Sequence, residues 1–208
     1  MKKAVAVILA ALLLLGGGAL AKPSVGNLTQ SLRTLEAQTP LSEGLYVDVR
    51  QADTSAYENP AVRQAVGVVN DPAVAATVRD TVRQLADYLP EGTRLDANDI
   101  VVLRRDDGTE TAFDLTVYDF VTPFVDLVVT DGVEAAFGDG DNVVSAKTTL
   151  AIEALAGETA LEDYLILLIE PHTGRLWFID LDPTAYDAET GEVTVVFPSL
   201  GAFSLIQK

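Results

Sequence analysis

The sequence predicts an α+β protein, a helical N-terminal region followed by an all-β sandwich. Two proline-opened runs with helical spacing of their apolar residues precede Pro90. After Asp99 come short apolar or alternating runs separated by Asp-, Gly- and Pro-rich turns, spaced roughly 8–12 residues apart as in sandwiches. All 7 Phe and the single Trp lie beyond Thr111, so the aromatic core belongs to the second part. The alternating helices that a parallel sheet needs are missing there.

Residues 1–21 read as a secretory signal. Lys2 and Lys3 form a basic start, Ala4–Leu15 is unbroken and apolar, Gly16–Gly18 break the helix, and Ala19-Leu20-Ala21 is a small-x-small cleavage pattern. The apolar run is shorter than the roughly 20 residues that span a bilayer. Cleavage after Ala21 predicts a secreted, extracellular protein with no membrane span once the signal is gone.

The helical region covers residues 22–92. Asn27–Gln38 places Leu28, Leu32 and Leu35 on one stripe and stops before Thr39-Pro40, because the residue ahead of a proline leaves helical φ/ψ. Asn27-Leu28-Thr29 reads as capping of that helix. Leu45–Gln51 alternates apolar and polar and reads as a lone strand. Asn59-Pro60 and Asp71-Pro72 each pair a capping residue with proline at the first helical position. The second opens the strongest helix, with Val74, Val78, Val82, Leu85 and Leu89 on one face, ended by Pro90.

The β domain covers residues 99–208. Asp99–Arg104 enters the turn Asp106-Asp107-Gly108, a hairpin signal. Ala112–Asp119, Phe124–Thr130 and Val144–Ile152 follow as strands. Tyr164–Ile169 is continuously apolar, the mark of a central strand covered on both faces. Pro171-His172-Thr173-Gly174 turns it back as Leu176–Leu181. Glu192–Phe197 and Ala202–Gln207 complete the set.

Charge and composition narrow the function classes. Without residues 1–21 the chain has 187 residues, with 12 bases against 31 acids, a net charge of −19. That charge argues against nucleic acid as a partner, since its binding rests on Lys and Arg neutralising phosphates, and equally against anionic lipid surfaces. With 0 Cys there is no disulfide scaffold, thiol nucleophile, Fe–S cluster or cysteine zinc site. A single His, His172, rules out a multi-histidine metal site.

The last strands carry a resemblance. Tyr164-Leu-Ile-Leu-Leu-Ile169, Glu170-Pro-His-Thr-Gly-Arg-Leu-Trp177, Glu192-Val-Thr-Val-Val-Phe197 and Phe203-Ser-Leu-Ile206 together resemble a β-sandwich module of secreted and surface proteins of Gram-positive bacteria, especially gut clostridia. There a strand is followed by an acidic-Thr-Gly-Lys/Arg-x-Trp hairpin, a closing strand and a final Phe-Ser-x-apolar strand. Phe113–Val117 looks like its opening strand. The match spans about residues 99–208, departs at Phe120-Val121-Thr122-Pro123 and at His172, and leaves residues 22–98 uncovered. It implies an immunoglobulin-like sandwich and an extracellular life, and it carries no catalytic residues.

Candidate chemistry is sparse. His172 lies in a hairpin turn, where histidine is normally solvated. A hydrolase role would need a serine and a carboxylate beside it, and no Gly-x-Ser-x-Gly is present. Calcium is the one candidate cofactor, because it takes several oxygen ligands gathered in a loop. Gly138-Asp139-Gly140-Asp141-Asn142 offers Asp139, Asp141 and Asn142 as ligands, and Asp180, Asp182, Asp187 and Glu189 form a second acidic loop. Solvated turns have the same composition. Trp177 is either a core residue or an exposed platform for sugars. The expectation is therefore a non-enzymatic extracellular or cell-envelope protein, structural, adhesive or ligand-binding, whose partner is an extracellular protein or glycan. The rival is a small secreted hydrolase, carboxylate-based or calcium-dependent. A third reading makes the Val74–Leu89 helix a docking surface.

Overall fold

The computed structural model describes residues 32–34, 46–104, 108–130 and 146–208, and the strand Tyr164–Ile169 organises what they form. All six of its side chains are buried. Successive strand residues point to opposite faces, so Tyr164, Ile166 and Leu168 enter one core while Leu165, Leu167 and Ile169 enter another. The expected central strand is present, with the expected bounds.

In chain order the strands are β1 (Leu32–Thr34), β2 (Tyr46–Gln51), β3 (Thr93–Leu95), β4 (Ile100–Arg104), β5 (Glu110–Asp114), β6 (Asp119–Phe120), β7 (Val125–Thr130) and β8 (Ala146–Ile152). They continue as β9 (Tyr164–Ile169), β10 (Leu176–Asp180), β11 (Tyr186–Asp187), β12 (Glu192–Phe197) and β13 (Gly201–Gln207). Two helices, α1 (Pro60–Asn70) and α2 (Val78–Gln84), fall between β2 and β3. Three antiparallel sheets result. The largest runs β10-β9-β13-β7-β2, with β6 also on β13; the second runs β1-β8-β12-β11; the smallest is β3-β4-β5.

The two larger sheets pack face to face. Leu150, Ile152, Val193, Val195 and Phe197 of the four-stranded sheet meet Val125, Leu127, Ile166, Leu168, Phe203 and Leu205 of the six-stranded one. Phe197 and Phe203 bridge them with ring centroids 5.1 Å apart. The other face of the large sheet is covered by α1, α2 and the small sheet. Helix α1 presents Val62, Ala65, Val66 and Val69, and α2 presents Val78, Thr81 and Val82. Both sets follow the i, i+3, i+4 rule of a helix with one buried side. Phe113 of β5 stacks on Phe178 of β10 at 5.4 Å. The Arg83 guanidinium of α2 pairs with the buried Asp99 carboxylate at the mouth of β4, joining helix to small sheet.

Several expectations change. Leu32–Thr34 lies inside the helix expected over Asn27–Gln38, yet it is a strand in register with Leu150–Ile152. The three leucines fit a helical stripe, but so short a run is decided by the β8 edge it can pair with. The expected lone strand is the edge of the large sheet, Tyr46–Gln51 pairing with Val125–Thr130. Asn59 caps α1 as foreseen, its Oδ1 accepting from Ala61 N at 2.9 Å and Val62 N at 3.4 Å.

Asp71 does not cap a helix. Its carboxylate takes Ala73 N at 2.9 Å in a local turn, and α2 begins at Val78, capped by Thr77, whose Oγ1 accepts from Asp80 N at 3.1 Å. Val74 is consequently 39% exposed and outside the stripe. The strand expected over Ala112–Asp119 stops at Asp114, because that carboxylate accepts from Thr116 N and Oγ1 and bends Leu115–Val117 into a 3-10 turn. Thr93–Leu95, inside the expected connection between the two halves, is itself a strand. Residues 1–21 lie outside the described residues. Among those described, no helix is long and apolar enough to cross a membrane.

Candidate functional site

Among the described residues, strand β10 ends the large sheet and pairs only with β9. Glu170 N donates to Arg175 O at 2.9 Å, which fixes the phase of the ladder. In an antiparallel pair successive residues alternate between facing the partner strand and facing away. Trp177 and Ile179 therefore turn their backbone groups to β9, and Leu176 and Phe178 turn theirs to the other side. Both residues are buried, Leu176 at 0% and Phe178 at 8% exposure, so that edge is covered rather than open to water.

A groove of about 570 Å³ runs along that edge. Its floor is five consecutive residues, Leu176–Asp180. A pocket on one sheet face would take alternate residues only, so a consecutive run places the groove alongside the strand. Thr93, Leu103 and Arg104 of the small sheet, with Pro90 and Glu91, form one wall; Val196 and Pro198 form the other. Trp177 and Ile179 are half-buried against the core between the two larger sheets. Val196, 58% exposed, is the most open large apolar side chain among the described residues.

The turn before β10 is held from below. The buried Glu170 carboxylate accepts from His172 N at 3.0 Å, Thr173 N at 2.9 Å and the Thr173 hydroxyl. Gly174, at φ 80°, sits where any Cβ would press on the Tyr88 ring at 2.8 Å and Asn59 Nδ2 at 2.9 Å. His172 Nδ1 lies 3.2 Å from a Glu58 carboxylate oxygen, at the entry to α1. The histidine thus links the turn to the residues just before α1.

A second polar feature lies within the large sheet. Asp126 of β7, 3% exposed, accepts from the Tyr57 hydroxyl and from Asp53 N at 3.0 Å. Burial pushes the Asp126 carboxyl up, outweighing those two hydrogen bonds. Burial likewise pushes the Tyr57 phenol up, reinforced by the Asp126 charge. An acid whose folded pKa is raised adds stability that is complete below its unfolded value and lost as pH rises through the folded one. The Asp126→Asn variant removes this dependence. Chemical denaturation of both proteins between pH 4 and 8 is expected to show the wild type gaining on the variant as pH falls. A difference independent of pH would contradict the buried-acid assignment.

The structure places the other candidate residues plainly. Asp139, Asp141 and Asn142, the candidate calcium ligands, lie outside the described residues. In the second acidic loop, Asp182 takes Thr184 N at 2.8 Å and Asp187 takes Glu189 N at 2.8 Å, so both serve local turns. Among the described residues no three His, Asp or Glu side chains gather as a metal site. Trp177 is neither fully buried nor a free platform, being packed on one side and open to the groove. Glu91 and Asp180 both line the groove and are exposed.

Sequence reasoning reached Trp177 but not the groove around it. Its walls come from residues 90–93, 103–104 and 196–198, and none of those segments carries a motif. The one legible signal was Leu176-Trp-Phe-Ile, a strand apolar on both faces next to a tight turn. No protein-family model matches the chain, and neither the curated proteins nor the solved structures include a match to it.

Proposed function

We propose that this is a secreted, non-enzymatic binding module of the extracellular space or cell envelope, and that the β10 groove is its ligand site. In this reading the two larger sheets form an immunoglobulin-like sandwich of the kind borne by surface proteins of Gram-positive bacteria. The observation that carries it is the groove itself, with a half-buried tryptophan in its floor. Apolar lining with a few polar groups is the usual make-up of a binding site. Two antiparallel sheets meeting through alternating inward residues support the sandwich, and the leader-like residues 1–21 support secretion.

Trp177 is the single tryptophan, so its emission reports on this site alone. Titrating the protein with short peptides and with chitotetraose is expected to shift or quench that emission saturably with one of the two classes. A flat response to both would overturn the site. Expression with the native N-terminus is expected to yield extracellular protein beginning at Lys22; intact protein starting at Met1 inside the cell would overturn secretion.

A further inference from the structure

We infer that the occupant of the groove is a neutral oligosaccharide, held by a sugar ring stacked on Trp177 and by hydroxyls bonded to the charged side chains around it. The inference rests on the reading of the groove as a ligand site and names what it takes.

The floor decides between a peptide and a sugar. Leu176 and Phe178 are buried, so they do not offer their backbone to a ligand. What the floor presents is side chain: Trp177 and Ile179, each half-buried, and the exposed Asp180. An added peptide strand depends on backbone hydrogen bonds, which the two buried residues withhold. A pyranose needs only a ring to lie on. Its C–H groups, slightly positive, meet the negative face of an aromatic ring. Trp177 packs against the core on one side and lines the groove on the other.

Charge around the groove sets the polarity of the ligand. Glu91, Arg104 and Asp180 all line it and all are exposed. Arg104 N donates to Gly92 O at 3.3 Å, which brings Glu91 and Arg104 to the same end of the small-sheet wall. A carboxylate only accepts hydrogen bonds and a guanidinium only donates them, whereas a sugar hydroxyl does both. Hydroxyls on one ligand therefore suit groups of either sign. A wholly apolar ligand would take water from these charges and replace none of its hydrogen bonds, which is costly. An acidic sugar meets a chain whose formal net charge is −17, and is repelled.

The dimensions agree. The groove's volume of about 570 Å³ falls within the roughly 300–1,000 Å³ usual for small-ligand sites. Its floor of five residues is roughly 17 Å long, so a short chain of sugars lies along it better than a single one.

The test follows Trp177 emission on titration with the neutral tetrasaccharides chitotetraose, cellotetraose and maltotetraose. Tetragalacturonate is the acidic counterpart, and the peptide acetyl-Lys-Val-Thr-Val-Thr-Lys-amide represents the rival class. At least one neutral tetrasaccharide is expected to bind saturably, with an affinity that added salt leaves unchanged, because no ion pair is there to screen. Tetragalacturonate is expected not to bind. Glu91→Ala and Arg104→Ala, both at exposed positions, are each expected to weaken binding about tenfold by removing a charged hydrogen-bonding group. Sugar binding that neither variant weakens, or that salt abolishes, would overturn the inference. A response to the peptide with none to the neutral sugars would also overturn it while leaving the groove as a ligand site. Silence from every ligand would remove the site as well.

Discussion

Gly201→Ala is expected to lower the free energy of unfolding by about 2–4 kcal/mol, as read by urea denaturation. Gly201 opens β13 at φ 155°, where an added Cβ would overlap the Ile169 carbonyl oxygen and lie 3.1 Å from the Ile169 carbonyl carbon and from Pro171 Cδ. Two of these neighbours are backbone of the central strand and the third is a ring that fixes its turn, so none can swing aside. The site is costly because β13 must approach β9 closely there for Ala202 to pair with Ile169. Gly67→Ala is the matched control. That glycine lies within α1 with nothing within 4 Å of its added Cβ. Here the same methyl is expected to stabilise by about 0.5–1 kcal/mol, by removing backbone freedom from the unfolded chain. A Gly201→Ala loss below about 1 kcal/mol would mean that β13 can shift away from β9 without breaking its register.

That pair also shows what was legible in the sequence. Continuous burial of Tyr164–Ile169 was readable because no polar residue interrupts it, and the Asn59-Pro60 cap because side-chain acceptor and proline act within one turn. The same pattern at Asp71-Pro72 misled. Both carboxylate and proline tolerate a turn as well as a helix start, and the Thr77 hydroxyl, accepting from Asp80 N, offers the better cap. Alternation past Asp114 misled for a related reason, since a carboxylate capturing Thr116 N outcompetes the strand ladder locally. Leu32–Thr34 was read as helix because pairing with Leu150–Ile152 is a contact across more than a hundred residues. The groove was hidden for the same reason at larger scale. It exists only where three sheets meet, and distant segments meet by topology, which local spacing does not encode.

Leu167→Ala and Leu168→Ala are each expected to cost about 2–5 kcal/mol, the range for emptying a fully buried leucine site. The two residues are neighbours on β9, both 0% exposed, yet they serve different cores. Leu168 packs between the two larger sheets with Phe197 and Phe203. Leu167 packs under the helices and small sheet with Val66, Val82 and Phe113. A large sheet with one wet face would make one of these changes nearly neutral, within about 0.5 kcal/mol. Equal and large costs require that the layer built from residues 60–114 be as much a part of the folding unit as the second sheet. Denaturation followed by Trp177 emission and by far-UV circular dichroism separates the cases, because Trp177 reports the edge of the large sheet and the dichroism includes α1 and α2. Coincident transitions in both variants mean one cooperative unit, with β9 as the wall shared by its two cores. If Leu167→Ala moved only the dichroism, the helix layer would be a detachable cover, and the groove wall formed by Thr93 and Leu103 would open with it.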